Sequence, residues 1–437
     1  AGRGVPDSRL VEVSGHYQGV GGASPINACN AELRDALQAR LAERGSSLPI
    51  IIGNRNWHPF VSQALRELAD AGARRVLALP TAAFGSYSGC RQYREDLAGA
   101  VALLAAGADG ATGDGFEADA AARVGGDGGG PVDLTVDKTR PYYNTPGLLE
   151  ANVDAIVEAY GRLAEQGVAA ADARLVLVTH SIPLGMETGS APSPDSDGAH
   201  GVPDVDSPTE TGQPSRHSAH HPGGRSAILT PAQPAEQREP GVAADLSTEV
   251  SYVAQHEALA AILAPEVARR LGLAQVEADL VYCSRSGPPQ ARWLEPDVND
   301  HLEALAAGRL TDGSPADRPG GVVVAPFGFI SDHMEVVFDL DTEAAQTAHD
   351  LGMPYARAAT VGTHPAFVDS LVDILIERAA AARGEDVHPG STTGVGPFHT
   401  VCPPSCCRPG TRHPGTRPAD GAAHEPAAGH QPAMSGS

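Results

Sequence analysis

Leu175-Val176-Leu177-Val178 is an unbroken apolar run that leads directly into Thr179-His180-Ser181-Ile182-Pro183. A short strand with no polar alternation is buried on both faces, which is the situation in a parallel sheet covered by helices on each side. Similar strand runs are expected at 48–52, 75–79, 279–283, 322–325 and 357–361. Helical periodicity separates them, at 31–42, 59–71, 89–106, 148–166, 253–271, 297–307 and 366–382. This alternation predicts an α/β fold, and 437 residues suffice for two parallel sheets. Ligands of such sheets bind beyond the carboxyl ends of the strands, which is where His180 falls.

A second feature follows the strand at 322–325. In Asp332-His333-Met334-Glu335-Val336-Val337-Phe338-Asp339-Leu340-Asp341-Thr342-Glu343, the carboxylates Glu335, Asp339 and Glu343 stand four residues apart. A helix would align them on one face, where like charges repel. Two readings stay open from the spacing alone: a solvated acidic face, or a cation path or acid/base site that repays the repulsion.

The formal charge of −23 excludes nucleic acid as a partner, because phosphate binding needs concentrated Lys and Arg, and it disfavours docking on anionic lipid. No run approaches the ~18 apolar residues of a membrane span, and the first residues lack a signal-peptide core, so a cytoplasmic protein is expected. Six cysteines are too few for a disulfide scaffold, and the crowding of Cys402, Cys406 and Cys407 suggests a metal or cluster. Cys29, Cys90 and Cys283 read as small buried hydrophobes. Residues 109–133, 187–248 and 384–437 are too poor in apolar side chains to offset their ordering entropy and are expected as disordered or surface segments, with His217, His220 and His221 in a solvated linker.

The His180 run and the acidic run together resemble the ferrochelatase family, which inserts ferrous iron into a porphyrin. So do Gly21-Gly22-Ala23-Ser24-Pro25-Ile26-Asn27, Gly53-Asn54-Arg55-Asn56-Trp57-His58-Pro59-Phe60, Ser86-Tyr87-Ser88-Gly89-Cys90-Arg91-Gln92-Tyr93-Arg94-Glu95, and Ser284-Arg285-Ser286-Gly287-Pro288-Pro289 with Trp293-Leu294-Glu295-Pro296. The similarity is strongest to actinobacterial members of the coproporphyrin III type, and covers roughly 1–108, 134–186 and 250–383 in consistent order.

The resemblance implies two Rossmann-like domains with a porphyrin cleft between them. Their expected limits are 1–145, with an insert at 109–133, and 146–364, with an insert at 187–248; the helix at 365–383 would return to the first domain, and 384–437 would form a Pro/Gly/His tail carrying the Cys motif. Relatives open with an apolar strand and a Gly/Pro loop ahead of the position of Arg3, so that strand, with an active-site tyrosine, is expected to be missing.

The resemblance also implies chemical roles. His180 would accept a pyrrole proton or bind the Fe²⁺ substrate, with Glu335 as the carboxylate opposite it. Asp339 and Glu343 would form an acidic relay outward, with His333 as a further polar wall, and the acidic helix would contain a π-type turn. Tyr17, Ser24, Arg55, Ser86, Tyr87, Ser88 and Arg3 are candidate donors to the porphyrin propionates, while Arg55 and Trp57 also admit a structural reading. Trp293 reads as a core or domain-contact residue. Cys402, Cys406 and Cys407 would supply three ligands of a [2Fe–2S] cluster; the fourth falls around 149–153 in relatives, where this chain has Glu150, Ala151 and Asn152 and no cysteine, so it stays unidentified. The expected activity is iron insertion into coproporphyrin III, with a transient partner accepting the haem product. A protoporphyrin IX ferrochelatase and a non-catalytic tetrapyrrole-binding derivative are the alternatives.

Overall fold

The computed structural model of the protein describes residues 14, 15, 17, 18, 21–107, 130–189, 251–285, 291–394, 396, 398–402, 406 and 407. Arg3, His217, His220, His221, the Ser286-Gly287-Pro288-Pro289 turn and the tail beyond Cys407 lie outside the described residues.

The described strands form two parallel sheets. In the smaller, β1 (Arg75–Ala78) pairs with β2 (Thr135–Lys138). The larger contains β3 (Ala173–His180), β4 (Ala278–Cys283), β5 (Gly321–Ala325) and β6 (Tyr355–Arg357), in the spatial order β4-β3-β5-β6. The helices are α1 (Ile26–Glu43), α2 (Val61–Asp70), α3 (Gln92–Ala105), α4 (Pro146–Glu165), α5 (Leu184–Gly189), α6 (Tyr252–Leu271), α7 (Val298–Ala306), the composite α8 and α9 (Pro365–Ala382). Helix α8 runs through Met334–Val336 and Ala345–Asp350, with π-helical Val337–Ala344 between them.

Strand β3 is central, and all of it but its two end residues is buried. Leu175 and Leu177 enter a core built with Ile156 and Leu163 of α4, Leu259 and Leu263 of α6 and Phe367 of α9. Val176 and Val178 face the other way, onto Leu302 and Leu305 of α7 and Val336 and Leu340 of α8. Alternation across the pleat thus places an apolar residue on each face at every step, each worth roughly 1.5–3 kcal/mol of burial. Two covered faces fix the register of the strand that ends at His180.

Helix α9 packs against α4 and α1. Arg40 of α1 holds Asp369 of α9, and Arg378 of α9 pairs with Asp137 of β2 at 2.5 Å. At the α4–α9 contact a Cβ on Gly147 would stand 1.8 Å from the Ala366 carbonyl oxygen, so only glycine allows this approach.

Three expectations need correction. Residues 48–52 form no strand: Leu48 is 72% exposed, and the Ile50 amide donates to the Gln38 side chain of α1 instead of to a neighbouring strand. The strand expected at 357–361 is β6, which ends at Arg357. The start of the tail is ordered, because Phe398 is buried and Thr392 donates to the Asn144 carbonyl from both its amide and its hydroxyl.

Candidate active site

The end of β3 is held from behind by a buried polar network. The Thr179 hydroxyl lies 2.8 Å from His256 Nε2 and 2.9 Å from the Tyr252 hydroxyl, which also reaches the His180 carbonyl at 3.1 Å. His256 Nδ1 lies 2.7 Å from the Tyr252 carbonyl oxygen and so carries the ring proton. Burial pushes the His256 pKa down to about 3, so the ring stays neutral and Nε2 accepts from Thr179. Phe84 stacks on the same ring at 3.7 Å. Gly328 completes the support: a Cβ there would stand 2.1 Å from Thr179 Oγ1.

His180 projects from this support into the site, its side chain 30% exposed. Its Nδ1 donates to the Ser181 carbonyl at 2.5 Å, which leaves the Nε2 lone pair of the neutral ring facing outward. Glu335 Oε2 lies 3.6 Å from that nitrogen, and His333 Nδ1 lies 3.9 Å from the same oxygen. Burial disfavours protonated His180, but the hydrogen bond and charge of Glu335 outweigh it, so the His180 pKa rises above its ordinary value. Contact with His180 lowers the Glu335 pKa, whereas burial lowers that of His333. These three side chains therefore converge, one from the sheet and two from the start of α8.

The geometry of α8 follows from its sequence. Val336, Leu340, Ala344 and Ala348 are buried at intervals of four, a repeat that drifts by about 40° per step on a 3.6-residue helix. The wider π segment takes up an extra residue and keeps this stripe on the core. Asp339 accepts from the Ser284 hydroxyl just beyond β4, where Ser284 adopts a left-handed φ of 63°. Burial, with help from Glu335, raises the Asp339 pKa. Glu343 is exposed, farther along the same helix. The neighbouring Asp332 and Asp341 share one cation, Arg357, at 2.9 and 2.6 Å.

The candidate propionate donors divide into groups. Ser24 accepts from the Met334 amide at 3.1 Å, so it caps the helix that carries Glu335. Ser86 accepts from the Gly89 amide at 2.9 Å at the start of the π turn Tyr87–Arg91, and Ser88 reaches Met186 of α5. The Tyr87 hydroxyl donates to Glu95, and Tyr17 is partly buried. Arg55 lies 2.6 Å from Asp96, which favours its structural reading. Trp57 is 67% exposed.

Cys402, Cys406 and Cys407 meet Cys90 of the π turn at a small pocket, also lined by Lys138. Cys90 is therefore a partner of the motif and not merely a core hydrophobe, and neither Glu150, Ala151 nor Asn152 lines the pocket. Four thiols match the donor set of an iron–sulfur cluster. Among the described residues, no group of three or more His, Cys, Asp or Glu side chains is arranged around a single metal position. Sequence reasoning missed Tyr252, His256 and Ser284 as site residues. His256 lies one helical turn after Tyr252 on a helix read only for its apolar stripe, and nothing local shows that it reaches β3.

The ferrochelatase family model matches residues 2–379. A coproporphyrin III ferrochelatase of Streptomyces coelicolor is 39% identical over 96% of this chain and 89% of its own length. Its counterpart from Streptomyces griseus is 38% identical over 93% and 86%. Among solved structures, SirB from Bacillus subtilis with Fe³⁺ aligns at 13% identity and a TM-score of 0.37, covering 81% of this chain and 92% of that one. With a family match over nearly the whole catalytic region and relatives this similar, the chain belongs to the ferrochelatase family.

Proposed function

We propose that this protein inserts Fe²⁺ into coproporphyrin III, releasing two pyrrole protons as the metal takes the macrocycle's centre. The names of its most similar relatives support the substrate, and one observation carries the mechanism: His180 Nε2 and Glu335 Oε2 meet at 3.6 Å at the open end of β3. Neutral His180 accepts one proton at Nε2 while Nδ1 stays bound to Ser181. Glu335 takes up the second proton or holds the incoming iron, and Asp339 and Glu343 form the acidic path outward, with His333 walling the site. The raised Asp339 pKa suits a group that passes protons on, because it is nearer the working pH than an ordinary aspartate.

Tyr17, Ser24, Ser86, Tyr87 and Ser88, with Arg3, serve the propionates, and Arg55 contributes through its ion pair with Asp96. The two lobes divide near 145/146, with 365–383 returning to the first. No helix of the described residues is long and apolar enough to cross a membrane; the reading places the enzyme in the cytoplasm, with a transient partner that takes the product. Cys402, Cys406 and Cys407 would supply three ligands of a [2Fe–2S] cluster at the pocket they line.

The test is an anaerobic absorbance assay with Fe²⁺ and either coproporphyrin III or protoporphyrin IX. Metallation of coproporphyrin III in clear preference supports the proposal. Preference for protoporphyrin IX overturns the substrate assignment, and binding without metallation overturns the activity.

A further inference from the structure

We infer that Cys90 is the fourth protein ligand of the [2Fe–2S] cluster, so that Cys90, Cys402, Cys406 and Cys407 hold it between the π turn Tyr87–Arg91 and the C-terminal tail. This inference rests on the cluster proposed above and assigns the ligand that the tail motif lacks.

The four thiols form a closed circuit of neighbours. Cys90 interacts with Cys402 and Cys407, and Cys406 with Cys402 and Cys407, the Cys406 and Cys407 sulfurs lying 3.6 Å apart. None is in a disulfide. They do not converge on one ion position; a [2Fe–2S] cluster instead asks for two pairs, one on each iron.

The backbone around the quartet is built to hold it. The π turn adds a residue ahead of α3, and Cys90 within it is buried. Cys407 takes a left-handed φ of 52°, uncommon outside glycine, and is fully buried. Arg91 and Arg94 donate to the Cys406 and Cys402 carbonyls at 3.3 and 3.5 Å, tying the tail to the segment that carries Cys90.

Charge fits as well. Four thiolates around two ferric ions and two sulfides leave a net negative charge in a buried place, which is costly without compensation. Lys138 Nζ lies 3.2 Å from Cys90 Sγ, and Arg91 and Arg94 line the same pocket. Lys138 also donates to the Thr139 carbonyl at 2.7 Å, so the ammonium is positioned beside the sulfur instead of sweeping through solvent.

The experiment uses the full chain, purified anaerobically, with iron, zinc and acid-labile sulfide analysis, visible absorbance, and electron paramagnetic resonance after dithionite reduction. Wild type and Cys29→Ser, which lies outside the quartet, are expected to show equal iron, sulfide and resonance. Cys90→Ser should lose most of the iron and sulfide, or keep a cluster with a shifted resonance from oxygen ligation, while far-ultraviolet circular dichroism stays that of wild type. Should Cys90→Ser not fold, Lys138→Met keeps all four thiols and removes the positive charge beside Cys90; its cluster should have a more negative midpoint potential. A wild-type cluster whose content, resonance and potential are unchanged in Cys90→Ser or Lys138→Met overturns the assignment of Cys90 alone. Wild type lacking iron and sulfide, or holding zinc, overturns the cluster itself and leaves the chelatase activity to its own assay.

Discussion

His180 Nε2 lies 3.6 Å from Glu335 Oε2, while the other nitrogen of the same ring donates to the Ser181 carbonyl at 2.5 Å. The second contact determines what the first can do, because a ring whose Nδ1 proton is held by a carbonyl keeps its basic lone pair at Nε2. In the proposed mechanism the pair serves as a proton acceptor with a carboxylate behind the transfer.

This arrangement fixes the direction of a pH effect. Glu335 raises the His180 pKa, so more of the free enzyme carries a protonated, non-accepting His180 as pH falls. Metallation measured as kcat/KM should rise with pH through that raised pKa. In Glu335→Gln the ring keeps its burial but loses the charge, so its pKa drops and the acidic limb moves to lower pH, while kcat falls by about 10²- to 10⁴-fold. A limb that stays in place would show that another group sets it.

Ser284→Ala removes the hydroxyl that holds Asp339. Asp339 then keeps its burial and its repulsion from Glu335 with less to stabilise the carboxylate, so its pKa rises further. The expected result is a several-fold lower kcat with little change in porphyrin KM; a change confined to KM would make the contact a binding feature.

Glycines 328 and 161 should respond oppositely to alanine. The methyl of Gly328→Ala collides with Thr179, which must shift along with His180, at a cost of about 1–3 kcal/mol and most of the activity. Gly161, exposed inside α4 with no neighbour near its would-be Cβ, should gain roughly 0.5–1 kcal/mol. Thermal unfolding and turnover of the two variants check this, and equal effects would contradict the close approach at Thr179.

Ser24→Ala takes away the acceptor of the Met334 amide. Loss of a cap costs about 1 kcal/mol, and because Glu335 is the next residue, kcat should fall along with thermal stability. A rise in porphyrin KM with unchanged stability would instead make Ser24 a propionate donor only.

Strand β3 and the acidic helix were legible in the sequence because each carries an unusual local pattern: a continuous apolar run ending in histidine, and carboxylates at intervals of four. That the two meet was implied by the family resemblance and not by either pattern. The π segment came from family resemblance alone, since its wider turn shows only in the buried stripe at Val336, Leu340, Ala344 and Ala348. Strand β2, Thr135–Lys138, escaped notice because an edge strand with polar positions has no continuous apolar signal. Long-range partners were hidden for a related reason. Nothing around Tyr252 and His256 points to Thr179, some seventy residues earlier, and nothing around Cys90 points to a tail over three hundred residues away.

The most direct test compares wild type and His180→Ala, anaerobically, for binding of coproporphyrin III and for its metallation by Fe²⁺. The account predicts porphyrin binding within a few-fold of wild type and metallation lowered by at least about 10²-fold. Metallation at the wild-type rate in His180→Ala would contradict the assignment of His180 as the proton acceptor.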